Sequence, residues 1–296
     1  MRHPRPPESL RPLAIGPATF WWGQRTFVMG VLNVTPDSFS GDGLLAARDP
    51  VEAAVDQARR MAADGADLLD IGGASSRPGH APTDPVEEAA RVVPVIRAVA
   101  AALPDMPLSI DTASPAVGAA ALDAGAHLLN DIWGVAEDPG MVRLAAERAV
   151  PIVLMHNRLD ARYRNLMAEV VADLQRALDR ALDAGVAWDH LIVDPGFGFG
   201  KTPDHNLALL RDLALLQVLG RPVLLGTSRK STLGKVLDLP ADQRVEATAA
   251  TTALGIAAGA DMIRVHDVRE NVRTARIADA ILRGWRPAGW PDGTGT

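Results

Sequence analysis

Eight short apolar runs, each followed by a helix-length segment rich in Ala, Leu and Arg, recur from residue 27 to residue 282. The runs are Phe27 to Asn33, Asp67 to Gly72, Leu108 to Asp111, His127 to Asp131, Pro151 to His156, Leu191 to Asp194, Pro222 to Gly226 and Met262 to His266. The segments between and after them cover about 50–64, 85–103, 114–124, 139–149, 166–184, 204–219, 242–258 and 268–282. Alternation of this kind predicts βαβ units and a parallel sheet. The runs are nearly continuous in Val, Ile, Leu and Met, as expected of strands covered by helices on one face and by a packed interior on the other. A closed sheet satisfies that pattern better than an open one. The predicted fold is therefore α/β, a single (β/α)8 TIM barrel, and the 296 residues sit close to the roughly 250 of one complete barrel. Residues 1–26, with Trp21, Trp22 and Gly23, are expected to form an N-terminal extension whose short hairpin closes the amino-terminal end. Residues 27–286 are the barrel and 287–296 a frayed tail.

Charge and composition exclude several classes of partner. A net charge of −6 and a pI near 5.6 offer no broad basic face to track a phosphate backbone, so no nucleic acid is expected. Any anionic ligand must be held by a local cationic cluster. The chain has no cysteine, which removes disulfides and thiolate metal sites and is compatible with a reducing cytoplasm. Residues 1–12 lack the apolar core of a secretory signal, and the apolar stretch near Ala247 to Ala260 is too short and too interrupted to cross a bilayer. Export and membrane insertion are not expected.

Nearly every apolar run ends in a functional group: Asn33, Asp111, Asn130 with Asp131, His156, Asp194, then Arg229 and Lys230, and Arg264 with His266. In a parallel barrel these positions converge on one mouth. Each Asn or Asp taken alone could instead cap the helix that follows. Asp111 and Asp194 end unbroken apolar runs, where an ionised carboxylate needs a partner, and this points to a ligand rich in N–H donors. Arg264 and His266 are two apart and so project to one side of their strand. Strand seven leads into Gly226-Thr227-Ser228-Arg229-Lys230-Ser231, a polar turn opening a helix whose free N–H groups favour an anion. The alternative is a pairing of Arg264 with an acidic neighbour such as Asp267, leaving Arg229 solvated. Gly196-Phe197-Gly198-Phe199-Gly200-Lys201-Thr202 looks like a nucleotide-binding loop, but the first Gly of that motif falls on Pro195. The histidines show no i, i+4 pair, so zinc is unsupported, whereas Mg²⁺ shared with substrate phosphates is compatible with the oxygen donors present.

The ordered segments Met29 to Ser40, Asp70-Ile71-Gly72-Gly73, Ser76-Arg77-Pro78-Gly79, Ser109 to Thr112, Asn130-Asp131, Asp194 to Lys201, Gly226 to Ser231 and Arg264 to Asp267 closely resemble the dihydropteroate synthase family over about residues 27 to 283. The resemblance implies a transferase of folate biosynthesis and a sulfonamide target. In its reaction the amine of p-aminobenzoate displaces diphosphate from (7,8-dihydropterin-6-yl)methyl diphosphate, by a route thought to be dissociative. It implies that Asp111, Asn130, Asp194 and Lys230 read the pterin, that Ser76, Arg77, Arg264 and His266 hold the diphosphate, and that the Asn33 amide oxygen holds Mg²⁺. Phe39 and Phe199 then border the aminobenzoate pocket, with the Ser231 helix start near the carboxylate. Arg77, Lys230, Arg264 and His266 become the catalytic set, and a cytoplasmic homodimer assembled through the later helices is implied. Two loops depart from the family's usual wording: Ser40-Gly41-Asp42-Gly43 displaces a carboxylate by one residue, and Ala74 stands where Glu is common. A methyltetrahydrofolate-dependent methyltransferase would share the barrel but has no diphosphate for Arg77, Arg264 and His266 to hold.

Overall fold

Leu13–Ile15 (β1) and Ala18–Phe20 (β2) pair as an antiparallel hairpin beneath a ring of eight parallel strands. The computed structural model describes residues 10–34, 49–74, 83–134 and 139–291. The ring consists of Phe27–Asn33 (β3), Leu68–Gly72 (β4), Leu108–Asp111 (β5), Leu128–Asp131 (β6), Ile152–Met155 (β7), Leu191–Asp194 (β8), Leu224–Leu225 (β9) and Met262–Val265 (β10). Strands pair in chain order from β3 to β8, and β10 lies between β3 and β9. A parallel bridge between Val193 and Val223, with Val193 N–H donating to Pro222 O at 3.0 Å, brings β8 to β9 and completes the circle. The expected (β/α)8 barrel is observed.

Helices Pro50–Ala63 (α1), Pro85–Ala102 (α2), Pro115–Asp123 (α3), Gly140–Arg148 (α4), Leu166–Asp183 (α5), Pro203–Arg211 (α6), Ser231–Leu237 (α7), Val245–Ala257 (α8) and Val268–Leu282 (α9) follow the strands. Their starts obey local chemistry: Asp49, Asp84, Ser114, Asn165 and Thr202 accept backbone N–H groups as N-caps, and α1, α2, α3 and α6 carry Pro in the first turn. The segment expected as one helix over 204–219 breaks at Asp212 and continues as a 3₁₀ helix, Leu213–Leu219. Leu213, Leu216 and Leu219 are its buried residues, a spacing of three that eclipses at three residues per turn.

Two apolar clusters build the molecule. The larger lies between strands and helices and includes Val28, Leu69, Ile110, Leu129, Leu154, Val193 and Ile263. The smaller fills the lower barrel with Phe27, Met29, Leu68, Leu128, Val153, Ile192, Leu224 and Met262, plugged from below by Leu13, Ile15, Phe20 and Trp22 of the hairpin region. The Phe20 and Phe27 rings stand 4.6 Å apart. Each such buried side chain contributes about 1.5–3 kcal/mol, and together the hairpin residues fill the bottom of the barrel.

Candidate active site

A period of two along each strand carries the interior from apolar to polar. Two residues beyond Leu68, Leu128, Ile192 and Met262 of the lower cluster come Asp70, Asn130, Asp194 and Arg264, and Asp111 stands in register beside Asn130. Successive side chains of a strand alternate faces, so the same walls that pack the bottom project carboxylates, an amide and a guanidinium into the mouth.

Arg264 is the hub of that ring. Its Nε donates to Asp70 Oδ2 at 2.6 Å and its Nη2 to Asp111 Oδ2 at 2.6 Å. Asp70 Oδ2 also accepts from Asn130 Nδ2 at 3.0 Å, so one fully buried carboxylate oxygen clasps residues from β6 and β10. Asp70 Oδ1 has no hydrogen-bond partner among the described residues. Asp194 accepts from the Gly196 N–H at 2.7 Å. Lys230 Nζ sits 3.8 Å from the centroid of the Phe199 ring, a cation–π contact between the loops after β9 and β8.

The turn after β9 is held from three sides. Arg229 has φ of +57°, rare for a side chain of its size, and its N–H donates to Thr248 Oγ1 at 3.2 Å. Its carbonyl accepts from Arg244 at 2.8 Å and its guanidinium grips Asp267 through Nε at 3.0 Å and Nη2 at 2.5 Å. That bend presents Lys230 to the barrel. Ser228 Oγ accepts the His266 backbone N–H at 3.1 Å and lies 2.9 Å from His266 Nδ1. The hydroxyl and Nδ1 share one hydrogen bond, whose direction follows the imidazole tautomer.

Burial governs the charges. It raises Asp111 to about 7 against the pull of Arg264, with Asp70 adding to the rise. It raises Asp194 to about 6, opposed by the Gly196 N–H and by Lys230. Lys230 falls to about 8 through burial and Arg264, opposed by Asp194 and Asp111. His266 falls to about 3, again through burial first and then Arg264 and Arg229. Burial works against the Arg264 charge too, but Asp70 and Asp111 outweigh it and hold the guanidinium above its usual value. Arg264 and Lys230 thus stay cationic near pH 7, while burial keeps His266 neutral.

Of the expected site residues, Asp111, Asn130, Asp194, Lys230, Arg264, His266 and Phe199 are brought together. Asn33 ends β3 in register with Gly72, and Ser231 opens α7. Phe39, Ser76 and Arg77 lie outside the described residues. Two strand-end expectations need correction. Asp131 accepts the Trp133 N–H at 2.9 Å in a local turn. His156 is fully buried and bonds Asp173 of α5, away from the ring. The alternative pairing of Arg264 with Asp267 is not found: Arg229 takes Asp267, and Arg264 pairs with Asp70 and Asp111. Asp70 is the residue that strand-end reasoning missed. Its signal was available, because a carboxylate inside the apolar run 68–72 has to be partnered.

A barrel whose lower half is packed and whose upper rim carries opposed charges around one opening is a small-molecule enzyme of the TIM-barrel class. Within that class the chain belongs to the pterin binding enzyme family, which it matches over residues 29–266. It is 46% identical over 272 residues to a dihydropteroate synthase of Clostridium beijerinckii, covering 92% of this chain and 100% of that protein. A crystal structure of dihydropteroate synthase from Clostridium difficile in the presence of pteroic acid superposes with a TM-score of 0.84 at 43% identity, over 88% of this chain and 98% of that one. The Xanthomonas albilineans dihydropteroate synthase with 4-aminobenzoic acid gives a TM-score of 0.83 at 43% identity, over 88% and 94%.

Proposed function

We infer that the chain is a dihydropteroate synthase. The amine nitrogen of p-aminobenzoate forms a C–N bond to the pterin methylene carbon as that carbon's bond to the diphosphate oxygen breaks, and the nitrogen loses a proton. The observation that carries this reading is the ring Asp111, Asn130, Asp194 and Lys230 around one mouth, in a chain that matches dihydropteroate synthases along nearly its whole length. Asp111 and Asp194 are carboxylates whose burial has left them short of donors. A pterin supplies N–H groups to both, Asn130 both donates and accepts, and Lys230 faces the ring's acceptors. Phe199, with Phe39, borders the aminobenzoate ring, and the Ser231 helix start meets its carboxylate.

An aromatic amine is nucleophilic when neutral, so the harder task is stabilising the departing diphosphate. That task falls to Arg77 and Arg264 as cations, to His266 and to the Ser76 hydroxyl. We assign Mg²⁺ to the Asn33 amide oxygen. The donor chemistry fits: an amide oxygen is a hard ligand, and Mg²⁺ keeps waters and phosphate oxygens as its other ligands. When bound it supplies charge neutralisation for the leaving group.

We assign the enzyme to the cytoplasm as a homodimer, with residues 27–286 as its catalytic unit. No described helix is long and apolar enough to cross a membrane. Leu254 on α8 and Ile277 and Ile281 on α9 are 60%, 66% and 76% exposed, an apolar face on adjoining helices that a second copy would cover. Diphosphate release in the presence of the pterin diphosphate tests the function: release that requires p-aminobenzoate is expected. Release independent of the amine, or none at all, would overturn it and reopen the methyltransferase reading.

A further inference from the structure

The glycine-rich stretch that imitates a nucleotide loop does something different with its lysine. Gly196, Gly198 and Gly200 have φ of +68°, +86° and +55°, the left-handed region where other residues are strained. A Cβ on Gly196 would run into the His156 carbonyl. In a phosphate loop such a turn aims N–H groups inward. Here the carbonyls of Gly196 and Phe199 converge instead on Lys201 Nζ, at 3.0 Å each, and His156 Nδ1 lies 3.0 Å away as a third partner. An ammonium has three protons, and these three acceptors use them all.

The third acceptor is itself prepared. His156 Nε2 lies 3.1 Å from Asp173 Oδ2, which fixes the ring proton on Nε2 and turns the Nδ1 lone pair toward Lys201. Burial, then Lys201, push His156 down to about 4, so the imidazole is neutral. Asp173 is anchored in turn by Arg158, through Nε at 3.0 Å and Nη2 at 2.7 Å, and Arg158 also donates to Glu169 at 2.8 Å. The Tyr163 hydroxyl donates to Gly200 O at 2.8 Å on the far side of the turn.

The same two residues that give Lys201 their carbonyls face the active site through their other groups. Gly196 donates its N–H to Asp194, and the Phe199 ring packs under Lys230 Nζ. We propose that Lys201 is a positioning residue: its ammonium, seated on neutral His156, is the internal cation around which the 196–201 turn is built, and it sets Asp194 and Phe199 in place for both substrates. The proposal rests on the synthase reading of those two residues.

A neutral amine has two protons and a lone pair, so deprotonation turns one acceptor away. Burial lowers Lys201 to about 7, with Arg158 and Lys230 adding to the drop and Asp194 and Asp173 opposing it; the neutral His156 and, across the turn, the Tyr163 hydroxyl also face it among the described residues. Loosening of the turn on the alkaline side follows.

The test is steady-state kinetics of amine-dependent diphosphate release in Lys201→Met, beside a melting curve. The expected result at a temperature well below melting is a KM for p-aminobenzoate and for the pterin diphosphate raised at least about tenfold, since small displacements of positioning groups cost up to about 10²-fold. A residue that only stabilises the fold would lower the melting temperature and leave both KM values alone, and that outcome overturns the proposal. Lys201→Gln keeps two donors and covers the case in which the methionine variant does not fold; a smaller rise in the same two constants is expected, and unchanged constants overturn the proposal equally. The chain has no native cysteine, so Lys201→Cys alkylated with bromoethylamine before refolding restores an ammonium at that site alone. Recovery of both KM values toward wild type is expected, and absence of recovery in a folded alkylated protein counts against the ammonium. Wild-type protein that shows no amine-dependent release overturns the synthase reading itself, a result distinct from any of these.

Discussion

Arg264 Nη2 and Asp111 Oδ2 meet at 2.6 Å across the barrel mouth, so the arginine assigned to the diphosphate is already half of an ion pair. With its Nε on Asp70, it cannot be read as a free positive charge. Arg264 and Lys230 face Asp70, Asp111 and Asp194, which leaves the described part of the mouth without surplus positive charge for a diphosphate. Under the proposed function the remainder is assigned to Arg77 and Mg²⁺. Arg264→Lys tests the geometric part of this: a lysine keeps the charge but cannot fork to two carboxylates. We expect kcat/KM to fall about 10²–10³-fold, the scale for losing one preorganised donor, with the melting temperature changing much less. Near-normal kcat/KM would show that a point charge suffices.

Asp70 is the second test. Asp70→Asn keeps the volume and one acceptor but removes the charge that orients Arg264 and raises Asp111. Two effects are expected together: a drop in kcat/KM of about tenfold or more, and an acid limb of the pH profile displaced to lower pH, because Asp111 ionises more readily without a neighbouring carboxylate. A lowered rate with an unmoved limb would mean that Asp70 acts on Arg264 alone.

The pH profile of kcat/KM for the wild-type chain follows from the same charges. Asp194 and Asp111 must be ionised to accept pterin N–H groups, and they stand at about 6 and 7, so activity is lost as pH falls through that range. Lys230, at about 8, must be protonated, so activity is lost as pH rises past it. Lys201, at about 7, adds its own loss on the alkaline side, so the optimum is expected near pH 7, with limbs belonging to the coupled cluster rather than to single residues. A profile flat from pH 5.5 to 9 would contradict the assignment of these groups to substrate contacts.

Much of this site was legible because the strands of a barrel share one register. Asp111 pairs with Asn130, and Met155 pairs with Asp194, so residues of one parity point inward at one level. That register is also what the bare sequence does not carry. His156 and Asp131 end their apolar runs as visibly as Asp194 does, yet each lies one residue past the inward position, and one step sends a side chain to the opposite face. His156 therefore meets Asp173 of α5 and serves the loop from behind. Asp70 shows the converse: it has the inward parity but sits inside a run, so a search of run ends passes over it. The leucines of the 204–219 segment suit either helical period, so the sequence does not show the change to a 3₁₀ helix at Leu213.

Closure of the barrel yields the last prediction, at the end remote from the mouth. Asp279 of α9 is fully buried and accepts from Thr26 N–H at 2.7 Å and from Thr26 Oγ1 at 2.8 Å, just ahead of β3. It also stands 3.4 Å from Arg283 Nε, whose side chain is only 4% exposed. One carboxylate thus ties the final helix to the first barrel strand. Asp279→Ala would leave a backbone donor, a hydroxyl and a guanidinium buried without it. Removing one partner of a buried pair costs about 3–5 kcal/mol, and for a chain of this size a fall in melting temperature on the order of 10 °C follows. The KM values of the folded protein should not move, because no mouth residue touches this tie. Chemical denaturation together with kinetics separates the two readouts; a loss below about 1 kcal/mol would mean that water or Arg283 rearrangement replaces the tie.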